Sequence, residues 1–170
     1  NAPGTQRRGF ELAGSGRWSR DWSALLAATW LEAEYEQGFL TCGPAPCRAP
    51  TVLVPGGNRL PGIPRTSLYA EVAWQHRPWG LETALEGRRV GRVMVDDQNT
   101  DAAPGYATLA LRASLKQERG RWRFREFLRV DNLTDRDYAG SVIVNEGNQR
   151  FFEPAPGRQW LVGFDAAYRF

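Results

Sequence analysis

Hydrophobic and polar residues alternate with a period of two over seven segments of this chain, the pattern expected of half-exposed β-strands. In the last and clearest segment, one face would be formed by Trp160, Val162, Phe164, Ala166, Tyr168 and Phe170. Two residues break the rule, because Glu126 and Arg89 fall on the otherwise apolar faces of their segments. Helical periodicity is nearly absent. The pattern therefore predicts an all-β fold built from an antiparallel sheet of about seven strands.

The connections between the predicted strands alternate between short and long. Short ones are predicted at residues 19–21, 76–78 and 118–121, and long ones at roughly 37–66, 94–105 and 139–158. Short turns at one end and long loops at the other are typical of an outer-membrane β-barrel. Five of the seven tryptophans flank the short turns, namely Trp18, Trp22, Trp74, Trp79 and Trp122. A soluble β-sandwich would not cluster its tryptophans there, whereas a membrane–water interface favours them.

Composition is compatible with this interpretation. The mean hydropathy is −0.50, and no run reaches the roughly 18 apolar residues of a membrane helix. A barrel has a low average hydropathy because lipid-facing and lumen-facing residues alternate. The 22 basic and 19 acidic residues are interleaved and give a net charge of +3. Without a basic block or a nucleic-acid-binding motif, a nucleic-acid partner is not expected.

The parity of the strands makes a further prediction. The first and last of the seven segments would run in the same direction, towards the short turns. A single-chain bacterial barrel has an even number of strands with both ends on the periplasmic side. The chain begins at Asn1 with no signal peptide in view. We therefore expect an N-terminal portion of the barrel to be missing from this sequence.

Candidate catalytic and metal-binding chemistry is sparse. The only histidine, His76, lies in a predicted short turn, whereas a barrel hydrolase would place one beside an acid and a nucleophile. An acidic segment at residues 96–101 could bind calcium, but it lacks the glycine and glutamate of an EF-hand loop and is better explained as a solvated loop. We expect no catalytic residues, metal or cofactor. The only cysteines, Cys42 and Cys47, favour a small disulfide-closed loop over free thiols.

Charged side chains are predicted on the polar, lumen-facing side of the strands. They are Glu11, Arg17, Glu71, Glu82, Glu86, Arg88, Arg112, Lys116, Arg129 and Arg169. In a plugged barrel such groups would pair with the plug, since an unpaired buried charge is costly. The alternative is a hydrated wall, and the sequence favours plug contact only slightly.

Several short stretches resemble motifs of TonB-dependent receptors of the ferric-siderophore type. Residues 129–138, RVDNLTDRDY, resemble the family's "NLFD..Y" stretch, with Thr134 in place of its usual aromatic residue. Residues 152–158, FEPAPGR, resemble the segment that opens the last strand, and residues 58–65 and 6–11 resemble two further elements. The matching positions are Asn132, Leu133, Asp135, Tyr138, Glu153, Pro154, Pro156, Gly157, Arg158 and the terminal aromatic Phe170.

The resemblance implies a barrel of about 22 strands, of which this chain would supply the last seven. It also implies energy-coupled uptake of a scarce ligand, most often a ferric siderophore, across the outer membrane. The plug and the TonB-contacting segment precede the barrel in this family, so residues 1–170 would form a partial barrel domain. The implied partners are an iron-chelate ligand, the lipid bilayer, the TonB system through the missing N-terminal part, and the barrel-assembly machinery through the C-terminal strand.

Ligand contacts would come from the long loops. Arginine suits an anionic ferric chelate and aromatic rings suit flat ligand faces, so the candidates are Arg88, Arg92, Tyr138, Asn145, Arg150, Phe151 and Phe152. Two alternatives remain open from the sequence. One is a smaller, complete barrel that acts as a passive channel or adhesin, and the other is an outer-membrane barrel hydrolase.

Overall fold

A computed structural model describes residues 4–43 and 46–170. Seven long strands form one antiparallel sheet in the order β1-β2-β5-β6-β9-β10-β13, so each long strand pairs with the next one along the chain. The strands are β1 (Thr5–Arg17), β2 (Trp22–Tyr35), β3 (Phe39–Thr41), β4 (Val52–Val54), β5 (Thr66–His76), β6 (Leu81–Val90), β7 (Val93–Met94), β8 (Ala102–Ala103), β9 (Tyr106–Arg119), β10 (Trp122–Asp131), β11 (Ala139–Val142), β12 (Phe152–Pro154) and β13 (Gln159–Tyr168). The predicted all-β fold with seven alternating strands is confirmed.

The register gathers the apolar residues on one face of the sheet, here called the apolar face. Phe10 lies opposite Trp30, and Leu85 lies opposite Leu111. Successive side chains of a strand point to opposite faces, so the charged positions between these residues form the other side, here called the polar face. Many apolar-face side chains, such as Phe164, are exposed because no part of the described chain covers them.

The three connections at one end of the sheet are short. The second contains a 3-10 helix, Arg77–Trp79, which ends at Gly80 with a φ of 67°. The backbone of Gly80 also bonds Lys116 of β9 (N···O 2.9 Å), and a β-carbon at Gly80 would collide with the carbonyl oxygen of Lys116. Glycine is the residue that fits both the positive φ and this close approach. The short turns lie within a residue or two of the predicted positions.

Tryptophan side chains mark the short-turn end of the apolar face. Trp22 lies opposite Trp74, and Trp122 lies opposite Tyr168. Neighbouring rings are in contact, with centroids 5.9 Å apart for Trp18 and Trp22 and 5.1 Å apart for Trp122 and Tyr168. The predicted aromatic level is thus present in the sheet. The structure contains no helix, in residues 4–43 and 46–170, that is long and apolar enough to cross a membrane.

The long loops at the other end contain short strands that the sequence analysis did not predict. Each carries a small two-stranded sheet, formed by β3–β4, β7–β8 and β11–β12. Val54 and Val95, in the first and second of these loops, are fully buried. The third loop begins at Asn132 and not near residue 139, because β10 ends at Asp131 and the NLTDRDY stretch folds as a turn. Dense packing therefore concentrates where the loops meet the sheet.

Candidate functional site: the polar face and its loop roof

A network of ion pairs crosses the polar face over four adjacent strands, β5, β6, β9 and β10. It joins Glu71, Glu82, Glu86, Arg112, Lys116, Arg129 and Asp131. Four carboxylates and three cations give this group a net charge of −1, so the charges of the network largely cancel one another. Six of the ten charges predicted for this face are in the network, which leaves Glu11, Arg17, Arg88 and Arg169 outside it.

The strand register explains why these pairs form. Glu71 lies directly opposite Glu86, and Arg112 lies directly opposite Arg129. Like charges in opposed positions repel, but each of these residues forms an ion pair with a residue of opposite charge. Arg112 reaches Glu71 (N···O 2.9 Å) and Glu86 (3.2 Å). Arg129 donates two parallel hydrogen bonds to Glu86, of 2.9 and 3.0 Å. The Glu86 side chain is only 13% exposed and forms ion pairs with both arginines.

Above the network, a groove of about 510 Å³ lies between the polar face and the third long loop. Arg88 and Tyr138, two of the predicted ligand residues, line it together with Tyr69. The Tyr69 hydroxyl donates to Glu71 (3.2 Å), and Tyr138 stacks on Tyr106 with centroids 4.0 Å apart. The structure thus combines a cation, aromatic faces and hydrogen-bonding groups in one open concavity, the usual composition of a ligand site.

The other predicted ligand residues do not line this groove. Arg92 lies near Arg59 in the loops, where burial and then the charge of Arg92 lower the pKa of Arg59. Asn145 is engaged in a contact between loops, because its side-chain oxygen accepts from the backbone N–H of Asp97 (2.9 Å). The remaining three lie further along the third loop, namely the exposed Arg150 and the neighbouring Phe151 and Phe152, whose rings meet edge to face.

Hydrogen bonds join the first and second long loops into one unit, here called the loop roof, at the long-loop end of the sheet. The Tyr35 hydroxyl donates to the Asp97 carboxylate (2.7 Å), and burial followed by this bond raises the pKa of Tyr35. Asn58 donates to the backbone oxygen of Asp97 (2.8 Å). Arg59 and Asn99 exchange two bonds, of 2.8 and 2.9 Å. The roof therefore includes residues 58–65. The sequence analysis noted the motif in these residues but did not predict that they contact the second long loop.

The acidic segment at residues 96–101 folds as a closed turn. The Asp96 carboxylate accepts from the backbone N–H and the hydroxyl of Thr100 (3.0 and 2.7 Å) and from the backbone N–H of Asp101 (3.1 Å). Both carboxylate oxygens of Asp96 are thus engaged within the turn. Within the described ranges, no three side chains of the His, Cys, Asp and Glu types are grouped to hold a metal ion.

The two strongest sequence motifs meet in one clasp, formed by residues 132–138 and 153–158. Asn132 is 5% exposed and its side chain bonds the backbone of Arg136 twice, at 2.9 and 3.0 Å. The Asp135 carboxylate accepts from the backbone N–H of Arg158 (2.7 Å). Asn132 and Asp135 have φ values of 50° and 52°, which Asn and Asp tolerate better than most residues. The motif residues thus hold the third loop against the start of β13.

A disulfide joins Cys42 and Cys47 in the first long loop, with Cα atoms 5.7 Å apart. It lies at the end of the sheet opposite the tryptophan level. At that level, His76 contacts Trp74 and Trp79, with ring centroids 5.5 and 4.6 Å away. The sequence did not single out Tyr69, Tyr106 or Asp97 for the site. Tyr69 could have been found from its parity, since it alternates with the apolar residues of β5.

A family model described as TonB dependent receptor-like, beta-barrel matches residues 1–133. The chain belongs to this family. Three solved receptors share its fold. The siderophore receptor PiuA from Acinetobacter baumannii is 20% identical over 96% of this chain, with a TM-score of 0.79. The ferric yersiniabactin uptake receptor FyuA from Yersinia pestis is 24% identical over 98%, with a TM-score of 0.70. The ferric-catecholate import receptor Fiu from E. coli K12 is 17% identical over 98%, with a TM-score of 0.68.

This segment of a TonB-dependent receptor barrel spans 22%, 24% and 21% of the lengths of those three proteins. Another match of the same fold, the copper transporter OprC, has a TM-score of 0.63 at 16% identity. The family match covers six of the seven long strands, up to the end of β10, and does not include β13.

Proposed function

We propose that this chain is the C-terminal part of an outer-membrane receptor barrel that imports a ferric siderophore-like chelate in a TonB-dependent manner. The observation that carries the proposal is the groove of about 510 Å³ between the polar face and the third long loop, where Arg88 and Tyr138 converge. An arginine attracts an anionic chelate, and an aromatic face can stack on catecholate-type rings. The siderophore receptors among the structural matches support this ligand class over copper.

Membrane insertion is the second part of the proposal. The apolar face is exposed along most of its length, and tryptophans border it at the short-turn end. A lipid-facing apolar band with an aromatic girdle would use both features. The short turns would then be periplasmic and the loop roof extracellular, which places the Cys42–Cys47 disulfide in an oxidising environment.

The partners follow from the same arrangement. A plug supplied by an N-terminal part of the protein would meet Glu11, Arg17 and Arg169, which form no ion pair with any segment that the structure describes. The TonB system would act through that N-terminal part. Phe170, which contacts Tyr168 edge to face (5.3 Å), would present the C-terminal strand to the barrel-assembly machinery.

The test uses the complete receptor and two charge-matched variants, Arg88→Gln and Arg136→Gln. Arg136 is exposed and its side chain lies outside the groove. Uptake of radiolabelled ferric chelates, one catecholate and one hydroxamate, is measured in cells that lack other receptors. Arg88→Gln should weaken the apparent affinity for one chelate by about tenfold, since a charge-assisted bond contributes roughly 1.5–3 kcal/mol. Arg136→Gln should match the parent. Uptake independent of TonB, or equal affinity in both variants, would reject the proposal.

A further inference from the structure

Positive charge is concentrated at the short-turn end of the sheet. Residues 17–22, 76–81, 117–123 and 168–170 contain seven arginines and only two acids. Their net charge is +5, whereas the whole chain carries +3, so the remainder of the molecule is net negative by two charges. Solvation of turns does not require one sign of charge. The asymmetry therefore points to an anionic partner at this end.

Four of these arginines lie in or beside the short turns and form what we call the basic turn rim: Arg20, Arg77, Arg119 and Arg121. All four are exposed. Arg77 is held loosely, by Asp21 (N···O 3.8 Å) and by the backbone oxygen of Arg20 (3.2 Å). Arg20, Arg119 and Arg121 pair with no carboxylate in the ranges 4–43 and 46–170. The rim thus keeps most of its charge available.

The other arginines at this end belong to the polar face. Arg123 pairs with Glu118 (3.5 Å) and lies opposite Ala167, on the opposite side of the sheet from Trp122. Arg17 and Arg169 also project from polar-face positions. They face the interior of a closed barrel and are therefore not included in the rim.

The aromatic level fixes the depth of the rim. Arg20 lies between Trp18 and Trp22, whose rings stack, and Arg121 directly precedes Trp122. Arg119 lies opposite Trp122 in the register and so shares the apolar face with it. Indole rings prefer the boundary between hydrocarbon and headgroups. Arginines at the adjacent turn ends would therefore lie at the level of lipid phosphates, just outside the hydrocarbon core.

We propose that the basic turn rim binds the phosphate groups of anionic phospholipids in the adjacent leaflet. A guanidinium group binds phosphate with two parallel hydrogen bonds. A zwitterionic lipid carries a compensating ammonium group, whereas phosphatidylglycerol does not, so the rim should prefer phosphatidylglycerol. The inference rests on the proposed membrane insertion. It adds a lipid preference that would fix the vertical position of the barrel at three turns.

The test compares two triple variants of the complete receptor in lipid nanodiscs. The rim variant is Arg20→Gln, Arg119→Gln and Arg121→Gln, and the control is Arg7→Gln, Arg48→Gln and Arg136→Gln. The control arginines are exposed and lie near or beyond the long-loop end of the sheet. Quenching of tryptophan fluorescence by brominated phosphatidylglycerol or brominated phosphatidylcholine gives the relative affinity for the two lipids.

The parent and the control should prefer phosphatidylglycerol, and the rim variant should reduce that preference by about a hundredfold, at about fivefold for each of the three arginines. Millimolar glycerol phosphate should not reduce quenching if the ligand is a membrane lipid, and would reduce it if a free phosphate suffices. Equal preference in the rim variant and the parent would overturn the inference. Heat-modifiable mobility in gels reports insertion separately, so failure to insert counts against the proposed function alone. The single variants Arg119→Gln and Arg136→Gln provide the same comparison should the triple variants fold poorly.

Discussion

The apolar and polar faces of the seven-stranded sheet are built from the same strands but depend on different interactions. On the apolar face, side chains such as Phe124 and Phe164 contact only their neighbours (6.0 Å between centroids). These contacts do not connect strands that are further apart in the sheet. On the polar face, Glu86 connects Arg112 and Arg129, so three strands share one set of charges. Each side chain of the apolar face is therefore stabilised by whatever surrounds that side chain. The charges of the polar face stabilise one another through a shared network.

Glu126 shows what the difference means. It lies on the apolar face, opposite Leu115 and Phe164, and one of its carboxylate oxygens is shielded and lacks a hydrogen-bond partner in the described chain. Glu86 is also shielded, but it accepts hydrogen bonds from Arg129 and forms an ion pair with Arg112. Two shielded acids in the same sheet thus have opposite effects on stability, because a shielded charge is costly only when it has no partner of opposite sign.

The largest effect should come from placing a charge on the apolar face. Phe164 is four residues from Tyr168, about 10 Å above the girdle at the usual rise and tilt of a strand. Phe164→Arg should therefore destabilise the complete receptor in bilayers by about 2–4 kcal/mol. Asp165→Arg is the control, because that position faces the other side. Urea unfolding in lipid vesicles gives both values. Equal losses would contradict the assignment of the faces.

A smaller loss should follow from opening the ion-pair network. Glu86→Gln leaves Arg112 and Arg129 without their shared carboxylate, and we expect a loss of about 2 kcal/mol. Glu118→Gln removes the acid of an exposed pair with Arg123, where the acid is 68% exposed, and should cost under about 1 kcal/mol. The same unfolding assay applies. A loss from Glu118→Gln as large as that from Glu86→Gln would show that the network is not cooperative.

The sequence predicted the faces better than the contacts within them. Alternation of residues such as Leu85 and Glu86 determines which face each occupies, because the period of a strand is two. It also identified Glu126 as a misfit. The polar-face pairs could not be predicted, since they depend on the register between strands. The roof is further from prediction still, because Asn58 and Asp97 are 39 residues apart and meet through loop folding.

The side-chain hydrogen bonds of Asn132 should hold the third loop in place next to the polar face. Asn132→Ala removes two side-chain bonds and leaves alanine with a positive φ, at a cost of about 1–2 kcal/mol. Asn148→Ala is the control, since Asn148 is exposed and its side chain accepts one bond, from Arg150 (2.9 Å). Limited proteolysis of the folded receptor should show faster cleavage within residues 132–158 for Asn132→Ala alone. Unchanged cleavage would mean that the clasp does not hold the loop.

The smallest expected effect is a gain, and it tests the exception on the apolar face. Glu126→Leu replaces a shielded carboxyl by a side chain that matches Leu115 and Phe164, and it should stabilise the receptor in bilayers by about 1 kcal/mol, because an acid on the lipid face costs less than arginine. Asp165→Leu, one row away on the polar face and opposite Arg125, should give no gain. Unfolding in vesicles at neutral pH measures both. A clear loss for Glu126→Leu would mean that the carboxyl has a partner outside this chain, and the apolar face would then include a contact with another protein or with a lipid headgroup.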